Sequence, residues 1–159
     1  MRRVVILGRG GAGKSTLARE ISGRTGLPVA ELDELFWLPG PTAPDPAWWA
    51  AQQRELVQHE AWIIDGDLGR YDLDLSLRLR AADTVIVLNF GFVRCAWRTL
   101  RRGREQAEYW RWVWGYRRHS LPTIQEALAA SAPGATVYVL RNPAAVRGFL
   151  SRLGLVAGR

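Results

Sequence analysis

Apolar residues in this chain gather into short unbroken runs set between segments of helical period. Val4-Val5-Ile6-Leu7, Trp62-Ile63-Ile64, Thr84-Val85-Ile86-Val87-Leu88 and Thr136-Val137-Tyr138-Val139-Leu140 are the clearest, with Pro28-Val29-Ala30-Glu31-Leu32 a fifth. Runs this short and continuous predict strands covered on both faces, as in a parallel sheet. Between them, Leu17, Ala18 and Ile21 recur at helical spacing. Asp45-Pro46 opens a second helical segment through Trp48, Trp49, Leu56 and Val57, and Asn142-Pro143 a third through Val146, Phe149, Leu150 and Leu153. Asp or Asn before Pro supplies a cap and a first-turn residue whose missing N–H is not needed. The alternation predicts an α/β chain with a five-stranded parallel sheet and helices on both faces.

At 159 residues the expectation is one domain spanning 1–159. Hydrophobic content of 48% and charged content of 23% exclude disordered, collagenous and coiled-coil classes. The one cysteine (Cys95) and two histidines (His59, His119) stand far apart, which excludes a disulfide scaffold and zinc-finger spacing. No apolar run suits a signal peptide or a membrane span, so a cytoplasmic location is expected.

The first strand runs into Gly8-Arg9-Gly10-Gly11-Ala12-Gly13-Lys14-Ser15-Thr16, which fits G-x-x-x-x-G-K-S/T. Strand, glycine-rich loop and helix in this order form a phosphate-binding loop: glycines let successive N–H groups close on an anion, and the helix N-terminus adds positive dipole. Lys14 is then expected to reach the β- and γ-phosphates of ATP, and Ser15 to ligate Mg²⁺. Such a site needs a second acid at the end of another buried strand. Asp65 has that position, whereas the run at 84–88 ends in Asn89. Asp65-Gly66 also suits a turn, and the two roles are compatible.

Charge is uneven. The net formal charge is +7, but residues 1–93 sum to −2, residues 94–119 to +6 and residues 120–159 to +3. Lys14 is the only lysine among 22 basic residues. Within 94–119, Arg94, Trp97, Arg98, Arg101 and Arg102 precede Gly103, and Trp110, Arg111, Trp112, Trp114, Arg117 and Arg118 follow it. This pattern predicts an Arg/Trp-rich helical pair. Three readings are open: a solvated basic face, a nucleic-acid patch, or a lid over a transferring phosphate. The phosphate loop favours a lid, at about residues 98–119.

Four segments carry a resemblance to a known family: Gly8 to Thr16, Glu31-Leu32-Asp33-Glu34-Leu35-Phe36-Trp37, Trp62-Ile63-Ile64-Asp65-Gly66, and Arg111-Trp112-Val113-Trp114-Gly115-Tyr116-Arg117-Arg118. The chain resembles P-loop kinases of the adenylate-kinase type, and most closely the bacterial DNA topology modulation proteins. The resemblance implies a three-layer P-loop NTPase fold. It also implies that Arg98 flanks the adenine and that Arg102 with one of Arg111, Arg117 and Arg118 contacts phosphates. Arg141 and Pro143 would border the base, alongside the loop residues Gly8, Gly10, Gly11, Ala12, Gly13, Lys14, Ser15 and Thr16.

The acceptor side departs from that family. No arginine follows the second strand; between residues 25 and 69 Arg54 stands alone among arginine and lysine against eight acids. An anionic nucleotide is disfavoured there unless Arg70, Arg78 or Arg80 compensates, and a hydroxyl-bearing acceptor is favoured. Asp33 is either a helix cap or the group that orients and deprotonates the acceptor hydroxyl. Trp37, Asp67 and Arg70, with Arg117 and Arg118, complete the expected acceptor set. ATP-dependent phosphoryl transfer to a small, not strongly anionic hydroxyl compound is thus expected, with Lys14, Asp33, Arg102 and Arg111 catalytic and Ser15 and Asp65 on Mg²⁺. A nucleoside monophosphate kinase and a nucleotide-binding regulator that contacts DNA are the alternatives.

Overall fold

The computed structural model describes residues 1–37, 44–68, 72, 74–102 and 107–156. Five strands, β1 (Arg3–Gly8), β2 (Val29–Glu31), β3 (Trp62–Asp65), β4 (Thr84–Leu88) and β5 (Thr136–Leu140), form one parallel sheet in the order β2-β3-β1-β4-β5. Because successive side chains point to opposite faces of a strand, each run feeds two layers at once. Val5, Leu7, Ile64, Val85 and Val87 enter one layer; Val4, Ile6, Ile63, Ile86 and Leu88 enter the other. All ten are at most 2% exposed. Burying each contributes about 1.5–3 kcal/mol, which is why these runs carry no polar interruption.

Helices α1 (Lys14–Thr25) and α8 (Pro143–Val156) cover the second layer through Leu17, Ala18, Ile21, Phe149 and Leu150. Helices α2 (Leu32–Trp37), α3 (Pro46–Gln58), α4 (Leu75–Ala81) and α7 (Ser120–Ser131) cover the first through Leu32, Phe36, Trp49, Leu75, Leu79 and Ile124. The three-layer arrangement expected from the pattern is therefore the one found. The Asp45 cap is present, with Oδ1 accepting from the Trp48 N–H at 2.9 Å. Asn142 does the same for Ala145 at 2.9 Å.

Helices α2, α4 and α7 come in addition to those expected. The first two are six and seven residues long, too short to display an amphipathic period, and both are held by tertiary packing. Phe36 of α2 meets Trp49 of α3 edge to face at 5.1 Å, which fixes α2 against the layer below. The arginine-rich segment folds as α5 (Phe92–Arg102) and α6 (Ala107–Gly115), beginning six residues earlier than the expected lid. No helix among the described residues is long and apolar enough to cross a membrane.

Asp83 ties the start of β1 to β4. Its carboxylate accepts the backbone N–H of Arg2 at 2.7 Å, that of Arg3 at 3.0 Å and the Thr84 hydroxyl at 2.7 Å. Burial pushes this carboxyl up, but the three hydrogen bonds prevail and hold it below the ordinary carboxylate range.

Candidate active site

The carboxyl ends of β1, β2 and β3 meet where β1 turns into α1. Gly11, at φ +75°, lies against α5: a Cβ there would meet the Cys95 carbonyl oxygen at 2.4 Å and Thr99 Oγ1 at 2.6 Å. Only glycine allows both that backbone conformation and that approach. Helix α1 starts from Gly13 with no side-chain cap and no acidic residue in its first turn. Its first N–H groups are thus left for an outside anion. Lys14 Nζ donates to the Gly8 carbonyl at 2.9 Å, so its ammonium is folded back over the loop.

Asp65 ends β3 between Ile6 of β1 and Glu31 of β2. It is 3% exposed, its carboxylate accepts from the Ser15 hydroxyl, and Oδ1 has no hydrogen-bond partner among the described residues. Burial pushes its carboxyl up, Lys14 and Ser15 draw it down, and Asp33 and Glu31 push it up again. A buried carboxylate oxygen without a partner, next to a serine that opens α1, is a donor set suited to a hard cation. Ser15 and Asp65 therefore fit Mg²⁺.

Asp33 occupies the first turn of α2 as its second residue, inside the helix. The residue is open to solvent, but the surrounding protein desolvates its carboxyl and raises it; Lys14 opposes this, and Glu31 and Asp72 add to it. Lys14 thus acts on Asp33 and Asp65 together, and the acidic pair faces one ammonium.

A cleft of about 980 Å³ opens beside the loop between α1, α5 and α8. Ala12, Gly13, Thr16, Trp97, Arg98 and Pro143 are among the residues that line it. Trp97 is 62% exposed there, with Arg101 over its ring at 5.9 Å. Arg98 and Pro143 thus share one cleft with the loop; Arg141 is exposed and is not among the residues lining it.

Among the residues expected on the acceptor side, Asp67 is buried and accepts a hydrogen bond from the Tyr116 hydroxyl, whose proton burial holds far above the ordinary phenol range. Arg78, one of the cations named as compensating, is wholly buried in α4 and donates two parallel bonds to Asp72, at 2.8 and 2.7 Å, and one to Gln53. Its charge is committed to the fold. Arg80, Arg111, Arg117 and Arg118 are exposed. Arg102 is the last residue of α5, and its side chain, like that of Trp37, lies outside the described residues, as does Arg70 entirely.

Arg9 is absent from the expected site. It is 2% exposed, with its guanidinium 5.7 Å from the Phe92 ring centroid and 5.5 Å from that of Tyr116. The signal available was an arginine at a variable position inside a glycine loop; its burial depends on α5 and the end of α6, which lie more than 80 residues away.

No protein-family model and no curated protein matches the chain. Solved structures do. A shikimate kinase from Acinetobacter baumannii, in complex with shikimate, superposes with a TM-score of 0.68 at 17% identity over 99% of this chain and 94% of that one. A shikimate kinase from Bacteroides thetaiotaomicron gives 0.61 at 17% identity over 99% of each chain. A gluconokinase from Sinorhizobium meliloti 1021 gives 0.58 at 22% identity over 99% and 94%. The fold is that of P-loop kinases.

Proposed function

We propose that the protein is a P-loop kinase that transfers the γ-phosphoryl group of ATP to a hydroxyl of a small molecule. The observation that carries this reading is the meeting of Lys14, Ser15, Asp65 and Asp33 at the carboxyl end of the sheet, with an uncapped helix beside them. A pure nucleotide-binding module has no need of Asp33. Its carboxyl, raised by desolvation, is a stronger base than an ordinary carboxylate and is suited to take a hydroxyl proton.

In this reading the triphosphate lies on the Gly8–Gly13 loop and its base in the cleft by Trp97, Arg98 and Pro143. Lys14 leaves the Gly8 carbonyl for the phosphates. Ser15 and Asp65 hold Mg²⁺, which when bound offsets negative charge on the β- and γ-phosphates. Asp33 orients the acceptor hydroxyl and receives its proton as that oxygen bonds to the γ-phosphorus; the bond from the γ-phosphorus to the bridging oxygen breaks and ADP leaves. Arg102, Arg111, Arg117 and Arg118, from the lid, supply charge to the transferring group. The solved kinases of like fold are shikimate kinases and a gluconokinase, which supports a hydroxyl acceptor.

A nucleoside monophosphate acceptor is the weaker variant because Arg78 is already held by Asp72 and cannot offset Asp33 and Asp65, which would face a dianion. The DNA-contacting reading, which the resemblance to DNA topology modulation proteins carries, is supported by exposed Arg94, Arg98, Arg101, Arg111, Arg117 and Arg118 beside exposed Trp97 and Trp114.

The test is ATP consumption against nucleotides, sugars, sugar acids, amino alcohols and aminoglycoside-like polyols, with Lys14→Ala as control. Turnover by one of the hydroxyl compounds that disappears in the control supports the reading. ATP-switched DNA binding at physiological salt, without turnover of any acceptor, overturns it in favour of the DNA reading.

A further inference from the structure

Among the described residues, Arg9 carries a charge into the interior without a counter-charge. A guanidinium has five N–H donors and no acceptor, and it stays protonated when buried. Here Nε and Nη1 are buried and have no hydrogen-bond partner among the described residues. The two ring contacts hold the group in place, but a cation–π contact of about 0.5–2 kcal/mol does not replace the water lost from a buried charge. The groups that act on it most strongly are Cys95, Arg117 and Tyr116, none of them a carboxylate, and Arg117 adds a second cation. Elsewhere in the molecule the pattern differs: buried Arg78 is matched by Asp72.

The position of Arg9 selects the ligand. It is not among the residues that line the nucleotide cleft. Tyr116, on which it stacks, belongs to the core layer that also holds Leu32 and Phe36 of α2, and Tyr116 is bonded to Asp67, two residues beyond Asp65. The guanidinium therefore lies beside residues expected on the acceptor side of the phosphate loop. We infer that Arg9 is an anion-binding residue for the acceptor, which makes the acceptor a hydroxy acid whose carboxylate Arg9 holds while its hydroxyl faces Asp33. A carboxylate is favoured over a phosphate because it brings one charge and two coplanar oxygens, which match a single guanidinium, into a region already lined with acids. This rests on the kinase reading for the word acceptor, but not for the binding itself.

Binding without turnover tests it. The wild-type protein with Mg²⁺ and a non-hydrolysable ATP analogue is titrated, at constant ionic strength, with D-gluconate, D-glycerate and shikimate. Each acid is paired with a neutral counterpart: sorbitol, glycerol and methyl shikimate. Melting temperature and calorimetry give affinity. The expected result is at least one acid bound about tenfold or more tighter than its neutral partner, the scale of one charge-assisted hydrogen-bonded contact. Arg9→Met should abolish that preference and Arg9→Lys should keep part of it. The inference is overturned if no acid exceeds its partner, or if Arg9→Met keeps the full preference. Should Arg9→Met fail to fold, the wild-type pairs and Arg9→Lys decide it, an undiminished preference in the latter counting against a guanidinium-specific contact. ATP consumption in the presence of a bound acid is read separately: acid binding without phosphorylation overturns the kinase reading and leaves the Arg9 site standing.

Discussion

A Cβ placed on Gly66 would lie 2.7 Å from the Cβ of Leu32. The Leu32 side chain, in the first turn of α2, thus packs directly on the backbone just past β3. Asp65 and Asp33 are the immediate neighbours of the two residues in contact, so this one approach sets the spacing of the acidic pair.

Gly66→Ala should therefore act on stability and on chemistry together. Overpacking against Leu32, added to a φ of +150°, is expected to cost about 1–3 kcal/mol. Phosphoryl transfer should fall more than ATP affinity, because α2 is displaced and the phosphate loop is not. Denaturant melts and steady-state kinetics check this; an unchanged melt would mean that α2 yields freely.

Lys14→Ala should keep the fold and lose turnover. Among the described residues the side chain donates one hydrogen bond, to the Gly8 carbonyl, worth about 1 kcal/mol. Transfer should drop by about 10²-fold or more, the scale of removing one preorganised donor from a charged transition state. Wild-type turnover in the variant would remove Lys14 from the site.

The acidic pair makes a pH prediction with a definite sign. Asp33 and Asp65 are both held above the ordinary carboxylate range, so the folded chain keeps protons that the unfolded chain has already lost. Their contribution to stability is full below the unfolded value of about 4 and declines as pH rises from there through the raised values. Asp65→Asn, which removes this charge, should raise the urea midpoint of the nucleotide-free protein at pH 7 and leave it nearly unchanged at pH 3. A lower midpoint at pH 7 would mean that the Ser15 contact outweighs desolvation.

Asp83 has the opposite sign. Its lowered carboxyl contributes stability that is present above the unfolded value and is lost as pH falls through the folded one. Asp83→Ala should cost about 1–2 kcal/mol at pH 7, since the N–H groups of Arg2 and Arg3 lose a charged acceptor, and less as the solution is acidified. A difference from wild type that stays constant down to pH 2 would contradict this.

The cleft makes Trp97 the reporter of nucleotide. It lines that space and is 62% exposed, whereas Trp114 contacts Phe92 at 4.8 Å outside it. Adding Mg²⁺ and an ATP analogue should shift tryptophan emission, and Trp97→Phe should remove most of the change. A full response in Trp97→Phe would move the base away from α5.

Those features that depend on near neighbours in sequence were legible before folding. The strand runs, the Asp45 and Asn142 caps, and the Gly8 to Thr16 loop each announce themselves within a few residues, because strand burial and capping are local chemistry. Asp65 was legible for the same reason, as an acid ending an apolar run. The commitment of Arg78 to Asp72 and Gln53, the shortness of α2 and the burial of Arg9 were not. Each is decided by a partner brought in through the sheet order, and an arginine in sequence looks the same whether it meets water, a carboxylate or two aromatic rings.

The sheet order has a consequence for how the chain matures. β1 is the central strand and comes first in sequence, yet its neighbours are β3, at 62–65, and β4, at 84–88. During synthesis the glycine loop emerges early and has nothing to brace it: the β4 backbone beside Gly8 and the α5 turn that closes on Gly11 follow some 80 residues later. A nascent chain cut before residue 88 should therefore be unable to retain nucleotide, and such long-range pairing places the protein among slower folders.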